Sequence, residues 1–242
     1  MTGRPMSGGN PQRGEARMRN VAADAAGALV VDDDPFARGM LVSALTGLGW
    51  DPVRQAATVA EGLWLARHQP PVVAVLDLDL GEGPTGMDLA HGLRRAFPMI
   101  GLVIISTYED PRLMGMNQPP LPAGSIYLVK RTVTDTEVLG RAIQLAVDGP
   151  KEGDAVKGIA GSASEVSQGL SDQQVEIMRL ISAGYSNGEI ARLRGMSISG
   201  VEKVVAKLIR QLHIAGGRES SQRVLIAQAY FKLTGAVSAR RG

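Results

Sequence analysis

Several common ingredients are missing from this chain of 242 residues. It contains no cysteine, which excludes disulfides and thiolate-bound zinc. Aromatic residues make up only 4% of the sequence, which argues against a surface on which single-stranded nucleic acid stacks. No apolar run approaches the roughly 20 residues of a membrane span, and no apolar segment follows the basic N-terminus. A cytoplasmic protein without a membrane partner is therefore expected.

The charges that are present divide unevenly along the chain. Residues 28–149 carry 9 Lys and Arg against 14 Asp and Glu, whereas residues 170–242 carry 11 against 5. An acidic part joined to a basic part indicates two separate tasks. A polyanion is the candidate partner of the basic part.

Short apolar runs alternate with helical stripes in the acidic part. A weaker strand is expected near residues 53–55, and the four clearer runs are 28–31, 72–76, 102–105 and 126–129. Short continuous apolar strands that alternate with helices are typical of a parallel sheet covered on both faces. The pattern therefore predicts an α/β domain with a doubly wound, five-stranded parallel sheet.

Composition sets the predicted domain boundaries. Residues 1–26 are rich in Gly, Arg, Asn and Pro without periodicity, which predicts a disordered tail. The α/β domain would span 27–149, and the small polar residues of 150–168 would form a linker. A small all-α domain is predicted at 169–234, with a short tail at 235–242.

Three helices are predicted in the first part of the all-α domain. Ser171 and Asp172 can cap the first, Gly195 stops a short second helix that begins at Glu189, and Ser197 or Ser199 caps the third. A short helix, a turn and a second helix with a basic exposed face suggest helix-turn-helix DNA binding, whereas helical stripes alone would favour a small interaction module.

Acidic and polar residues stand at the ends of four predicted strands. They are Asp32 and Asp33, Asp77, Ser106 or Thr107, and Lys130. Because the carboxyl ends of parallel strands lie at one edge of the sheet, we expect these side chains to converge. Clustered carboxylates repel one another, and a hard divalent cation such as Mg²⁺ among them would offset that repulsion. One carboxylate can then act as a nucleophile in aspartyl-phosphate chemistry, while the hydroxyl and the lysine bind phosphoryl oxygens.

Four stretches of the acidic part resemble the receiver domain of bacterial two-component response regulators. They read VVDDDP, VLDLDLG, VIISTYED and IYLVK, and the resemblance covers about residues 28–149. It implies a flavodoxin-like fold in which Asp77 accepts a phosphoryl group. It also implies that Mg²⁺ is bound by the carboxylates of Asp32, Asp33 and Asp77 and by the backbone carbonyl of Asp79.

The same resemblance implies roles for three further residues. Ser106 would be the switch hydroxyl, Tyr127 the switch aromatic, and Lys130 the contact to the phosphate. The sequence departs from the family where Gly81 replaces the usual Pro and Arg131 the usual Pro or Asp. Three prolines, Pro119, Pro120 and Pro122, fall where the family has a full fourth helix, so a shortened helix is expected there.

The basic part resembles the LuxR-type helix-turn-helix output domain. The stretch that carries this resemblance is LSDQQVEIMRLISAGYSNGEIARLRGMSISGVEKVVAKLIRQL. It implies that the third helix, about Ser199–Leu212, enters the major groove of DNA. The candidate DNA-binding residues are Ser186, Asn187, Ser199, Glu202, Lys203, Lys207 and Arg210.

Together the two resemblances predict a DNA-binding response regulator of the NarL/FixJ type rather than an enzyme. A histidine kinase would phosphorylate Asp77, and the protein would regulate transcription as a homodimer on double-stranded promoter DNA, with RNA polymerase as a further candidate partner. Two alternatives stay open. The proline-rich region favours a regulator that works without phosphorylation, and the Asp77-Leu78-Asp79 sequence resembles the DxD motif of haloacid-dehalogenase-type phosphatases.

Overall fold

The computed structural model describes four stretches of the chain. They are residues 27–115, 119–148, 169–214 and 221–235. The predicted N-terminal tail, the predicted linker and all but the first residue of the predicted C-terminal tail lie outside the described residues. None of the described helices is both long and apolar enough to cross a membrane.

Five parallel strands form one sheet in the order β2-β1-β3-β4-β5. Their bounds are β1 Ala28–Val31, β2 Val53–Ala56, β3 Val73–Asp77, β4 Gly101–Ser106 and β5 Ile126–Val129. Alternate residues of the central strands face opposite sides of the sheet, so Leu29 and Val31 pack in one core while Ala28 and Val30 pack in the other. The predicted doubly wound five-stranded sheet is confirmed.

Four helices cover the two faces of the sheet. Their bounds are α1 Pro35–Gly47, α2 Val59–His68, α3 Gly86–Ala96 and α4 Thr136–Asp148. Asp34, Thr58 and Thr85 each cap the helix that follows, by accepting backbone N–H groups of its first turn. Asp34, which follows Asp32 and Asp33 in the sequence, is thus a helix cap that faces water.

The connection between β4 and β5 contains no α-helix among its described residues. It holds a single 3₁₀ turn, Pro111–Met114. Pro119 and Pro120 are exposed and lie outside any helix or strand. Proline removes a backbone donor and clashes with the preceding turn of a helix. This explains why the described residues show a 3₁₀ turn here instead of the shortened α-helix that was expected.

The basic part is helical. Its helices are α5 Asp172–Ser182, α6 Asn187–Arg194, α7 Ile198–Gln211 and α8 Gln222–Leu233. Gly195 ends α6 in the left-handed conformation with φ 61°, which glycine adopts without strain. Of the two candidate caps of the third helix, Ser197 is the one used, because its side chain accepts the Gly200 N–H. One expectation needs correction, since α6 begins at Asn187 rather than Glu189.

Candidate functional site

Three carboxylates meet at the carboxyl edge of the sheet. Asp32 and Asp33 follow β1, and Asp77 ends β3, which pairs directly with β1. One carboxylate oxygen from each lies within 4.8 Å of the other two. Asp32 and Asp77 are buried, whereas Asp33 faces solvent. This arrangement of hard oxygen donors with one open side fits a divalent cation such as Mg²⁺.

Lys130 lies between two of these acids. It follows β5, and its Nζ donates to Asp32 Oδ2 at 3.0 Å and to Asp77 Oδ2 at 2.6 Å. Burial alone would lower the pKa of Lys130, but the hydrogen bonds and charges of Asp77 and Asp32 outweigh it and raise that pKa. The ammonium therefore supplies positive charge to the pair of buried carboxylates.

Asp77 has a carboxyl group whose pKa is raised. Burial raises the pKa of its carboxyl group to about 6, although the Lys130 ammonium acts in the opposite direction. A carboxylate with a raised pKa is more basic than one in water. Asp77 stands at the end of a strand whose residues are all buried.

The predicted hydroxyl and aromatic residues lie beside this cluster. Ser106 is fully buried at the end of β4, and its Oγ accepts the N–H of Tyr108 at 3.2 Å. Tyr127 is buried in β5, and its hydroxyl donates to the carbonyl of Tyr108 at 2.7 Å. Both side chains therefore hold the same residue of the loop after β4.

The side chain of Asp79 binds the loop that follows β4. Its Oδ2 accepts the hydroxyl of Tyr108 at 3.3 Å, and this contact, with burial as the larger cause, raises the pKa of Tyr108 to about 12. Gly81 follows with φ +76°, a conformation closed to proline, whose ring fixes φ near −65°. The backbone conformation at this position therefore explains why glycine stands here instead of the family's usual Pro.

The second group of predicted residues lies on α6, α7 and the turn between them. α6 has 8 residues and α7 has 14, and a tight turn at Gly195–Ser197 joins them. Glu202, Lys203, Lys207 and Arg210 all face solvent on α7, while Val201 and Leu208 bury the opposite side in the core. An exposed basic helix that begins after a tight turn can enter the major groove of DNA.

The remaining predicted residues are held locally. Ser186 caps α6 and exchanges hydrogen bonds with Glu189, and Ser199 is exposed in the first turn of α7. The side chain of Asn187 accepts from Arg223 Nη1 of α8 at 2.5 Å, and Arg223 also donates to the carbonyl of Tyr185. The start of α6 is thus fastened to the last helix.

Two known regulators are similar to this chain over most of its length. The mycobacterial "DNA-binding transcriptional activator DevR/DosR" of Mycobacterium tuberculosis is 29% identical over 197 residues, which cover 76% of this chain and 86% of the relative. The nitrate/nitrite response regulator protein homolog of Haemophilus influenzae is 27% identical over 77% of this chain and 89% of its own length. The chain is therefore similar over most of its length to a transcriptional activator and to a response regulator. No family model matches it.

Two further comparisons point in the same direction. The photosynthetic apparatus regulatory protein RegA of Rhodovulum sulfidophilum is 42% identical over 81 residues, 33% of this chain and 43% of the relative. Among solved structures, the response regulator RcsB in a DNA complex matches with a TM-score of 0.52 at 16% identity, over 87% of this chain and 99% of that chain. At that identity the match shows the fold, a receiver-like sheet followed by a helical domain.

Three arginines that contact acidic residues near the site were not predicted from the sequence. Arg38 of α1 donates to the carbonyl of Asp32 at 2.6 Å, and Arg131 pairs with the buried Glu109. Arg112 forms an ion pair with Asp110 at 2.7 Å. The adjacent buried acids Glu109 and Asp110 were the available signal, since two acids in an apolar context need cationic partners.

Proposed function

We propose that this protein is a phosphorylation-controlled regulator of transcription that accepts a phosphoryl group on Asp77 and binds double-stranded DNA through α7. The observation that carries the proposal is the meeting of Asp32, Asp33, Asp77 and Lys130 at one edge of the sheet, with Lys130 Nζ 2.6 Å from Asp77. The proposed nucleophile, the cation site and the phosphate-binding ammonium therefore lie within a few ångströms of one another.

In the proposed reaction a carboxylate oxygen of Asp77 attacks the phosphorus of a phosphohistidine on a sensor kinase. A P–O bond forms, the P–N bond breaks, and the imidazole leaves. Asp32, Asp33 and Asp77, with the Asp79 carbonyl, would hold Mg²⁺, which neutralises phosphoryl oxygens when bound. Lys130 and the Ser106 hydroxyl would then bind the transferred phosphoryl oxygens.

Phosphoryl acceptance is tested with Asp77→Asn and radiolabelled acetyl phosphate. The amide is a poor nucleophile, so incorporation of label should fall to background. Glu82→Gln is the matched control, since it removes an exposed carboxylate from the loop that follows β3 and should leave labelling unchanged. Normal labelling of Asp77→Asn would assign the nucleophile elsewhere.

The output function rests on the charge of the helical domain and the exposed face of α7. Lys203, Lys207 and Arg210 present positive charge along one helix, which suits the phosphates that flank a major groove. The relatives are called a DNA-binding transcriptional activator and a nitrate/nitrite response regulator, and RcsB was solved with DNA. We extend DNA binding to this chain and propose that it acts as a homodimer in the cytoplasm, with RNA polymerase as a candidate partner.

A second candidate function is regulation without phosphorylation. It is favoured by the 3₁₀ turn that replaces the fourth helix of the family between β4 and β5. A DNA affinity that is identical for the unphosphorylated and the phosphorylated protein would support this candidate. Catalytic turnover of a small phosphate ester would instead revive the phosphatase alternative, which we do not favour because Asp77 ends the third strand and an acid pair follows the first.

A further inference from the structure

The loop after β4 belongs to both halves of the molecule. Tyr108 packs against the core on one face of the sheet and against the core of the helical domain. Leu113, in the 3₁₀ turn, is only 1% exposed, and its neighbours are apolar residues of the helical domain such as Leu170 and Val175. A side chain of the sheet domain therefore fills space in the core of the other domain.

Two hydrogen bonds fix the same loop to α8. The N–H of Glu109 donates to the carbonyl of Leu233 at 2.8 Å, and the hydroxyl of Tyr230 donates to the carbonyl of Leu113 at 3.1 Å. Backbone groups of the loop and of α8 thus satisfy one another in a partly buried interface, where an unpaired group would be costly.

An arginine completes this contact. Arg112 Nη1 donates to the carbonyl of Leu170 at 2.9 Å and to Asp172 Oδ1 at 2.8 Å, at the start of α5. Its other nitrogens bind Asp110 within the loop. The guanidinium is therefore shared between a buried acid of the loop and the first turn of the helical domain.

The other end of the loop reaches the acidic cluster. The hydroxyl of Tyr108 donates to Asp79 at 3.3 Å, the N–H of Tyr108 donates to Ser106, and Arg131, next to Lys130, pairs with Glu109. Nine residues thus touch the proposed phosphate site at one end and α8 at the other. Any change in the position of Ser106 or Asp79 acts on a segment that the helical domain also holds.

We propose that residues 107–115 are an intramolecular docking element, which binds the α5–α8 face of the helical domain and couples it to the acidic cluster. The docked arrangement leaves Lys203, Lys207 and Arg210 exposed, so the element controls the placement of the helical domain without covering α7. Through Tyr108 and Glu109 it holds Asp79 and Arg131, the neighbour of Lys130. Because docking and cation binding would both act on this region, release of the helical domain must change the cation affinity of the cluster, and cation binding must change docking by the same factor.

The first test removes contacts on the helical side only, in the full chain. Asp172→Asn with Tyr230→Phe deletes the ion pair to Arg112 and the hydrogen bond to Leu113 while leaving the acidic cluster untouched. We expect faster hydrogen exchange of peptide 107–115, since the Glu109 amide loses its fixed acceptor. We also expect the affinity for Mg²⁺, measured by calorimetry, to change about fivefold. Tyr185→Phe, which removes a hydroxyl elsewhere in the helical domain, is the control and should change neither.

Two outcomes would overturn the proposal. Unchanged exchange in peptide 107–115 would show that the loop is not docked, and faster exchange with unchanged Mg²⁺ affinity would reduce the contact to a structural one. The cation readout rests on the proposed function. A wild type that binds no Mg²⁺ would refute that site and the coupling together, while the exchange data would still decide whether the loop docks.

A second pair of variants asks which domain Leu113 supports. Leu113→Ala should accelerate hydrogen exchange in α5 and α8 by about tenfold or more and leave the sheet protected, because the cavity opens in the helical core. Leu121→Ala, from the same connection but packed on the sheet, should do the reverse. Loss of protection in the sheet alone after Leu113→Ala would contradict the assignment.

Discussion

At the scale of single residues, Asp77 is buried, although its proposed role as a nucleophile requires an ionised carboxylate. Its carboxyl pKa of about 6 exceeds the ordinary value of 3.8 because desolvation disfavours the ionised form. The folded protein therefore keeps a proton that the unfolded chain has already lost between about pH 4 and pH 6. In this window the native state binds more protons, so stability falls as the pH rises.

The first prediction follows from that sign. In metal-free buffer Asp77→Asn should remove the loss of stability between pH 4 and pH 6 and stabilise the protein above pH 6 by roughly 1–3 kcal/mol. Lys130 keeps Asp32 as a partner in the variant, which limits the loss on the other side. Urea unfolding over a pH series would measure it, and wild-type stability that rises across this window would contradict the raised pKa.

Asp33 and Asp34 allow a second prediction, because adjacent acids do different work. Asp33→Ala should weaken Mg²⁺ binding about tenfold or more, equal to about 1.4 kcal/mol, and leave folding intact, since Asp33 is exposed and one source of repulsion is gone. Asp34→Ala should instead lower stability through the lost cap of α1 and keep Mg²⁺ affinity. Calorimetric titration and thermal unfolding of both variants would separate the roles, and a reversal would refute this division.

At the scale of secondary-structure elements, the junction of β3 and α3 is the tightest point near the site. A Cβ added at Gly86 would lie 1.8 Å from the carbonyl oxygen of Asp77. Only glycine lets the first turn of α3 approach the end of β3 so closely. This approach is one of the constraints on the position of Asp77.

The third prediction compares two glycines. Gly86→Ala should cost roughly 1–3 kcal/mol of stability and slow labelling of Asp77, because the strand end must shift. Gly39→Ala, in α1 with nothing within 4 Å of the added carbon, should gain roughly 0.5–1 kcal/mol instead. Denaturant unfolding of both variants provides the measurement. A Gly86→Ala protein as stable and as active as the wild type would show that the junction is not constrained.

The strands and the ends of helices could be predicted because each is encoded locally. Runs such as 28–31 and 126–129 are apolar without interruption, and Gly195 marks a helix end by its backbone freedom. The docked loop could not be predicted, because Leu113 is paired with residues about 60 or more positions away. A proline-rich segment shows that a helix is absent but not what replaces it.

At the scale of the whole molecule, the charge division gives a fourth prediction. The full chain should bind DNA with an affinity that falls steeply with salt, since each neutralised phosphate contributes a slope of about −0.9 in log K against log salt. Lys207→Ala should flatten the slope by about one unit if Lys207 meets a phosphate. Arg67→Ala, an exposed cation on α2, should not, and fluorescence anisotropy over a salt series would decide. A salt-insensitive complex would favour the interaction-module alternative.

The fifth prediction concerns selectivity. Glu202 is an exposed carboxylate on α7 that repels phosphate but can accept a hydrogen bond from a cytosine amino group. Glu202→Lys should raise the affinity for all DNA sequences and reduce the ratio between specific and random sites. Competition binding with both classes of DNA would measure that ratio. An unchanged ratio would show that Glu202 does not read bases.

The acid-site residues stand at or just beyond the carboxyl ends of the strands, and among the described residues none of them lies at the opposite edge of the sheet. That edge is therefore a place for protein engineering. The connection from α3 to β4 turns there, with Met99 88% exposed at its tip. Its base is held on both sides, because Arg94 Nη1 donates to the carbonyls of Pro98 at 2.9 Å and Ile100 at 2.6 Å. A fluorescent reporter inserted after Met99 would be carried by a fixed base on the far side of the sheet from Asp77, so a signalling chain could be made visible without touching the residues that signal.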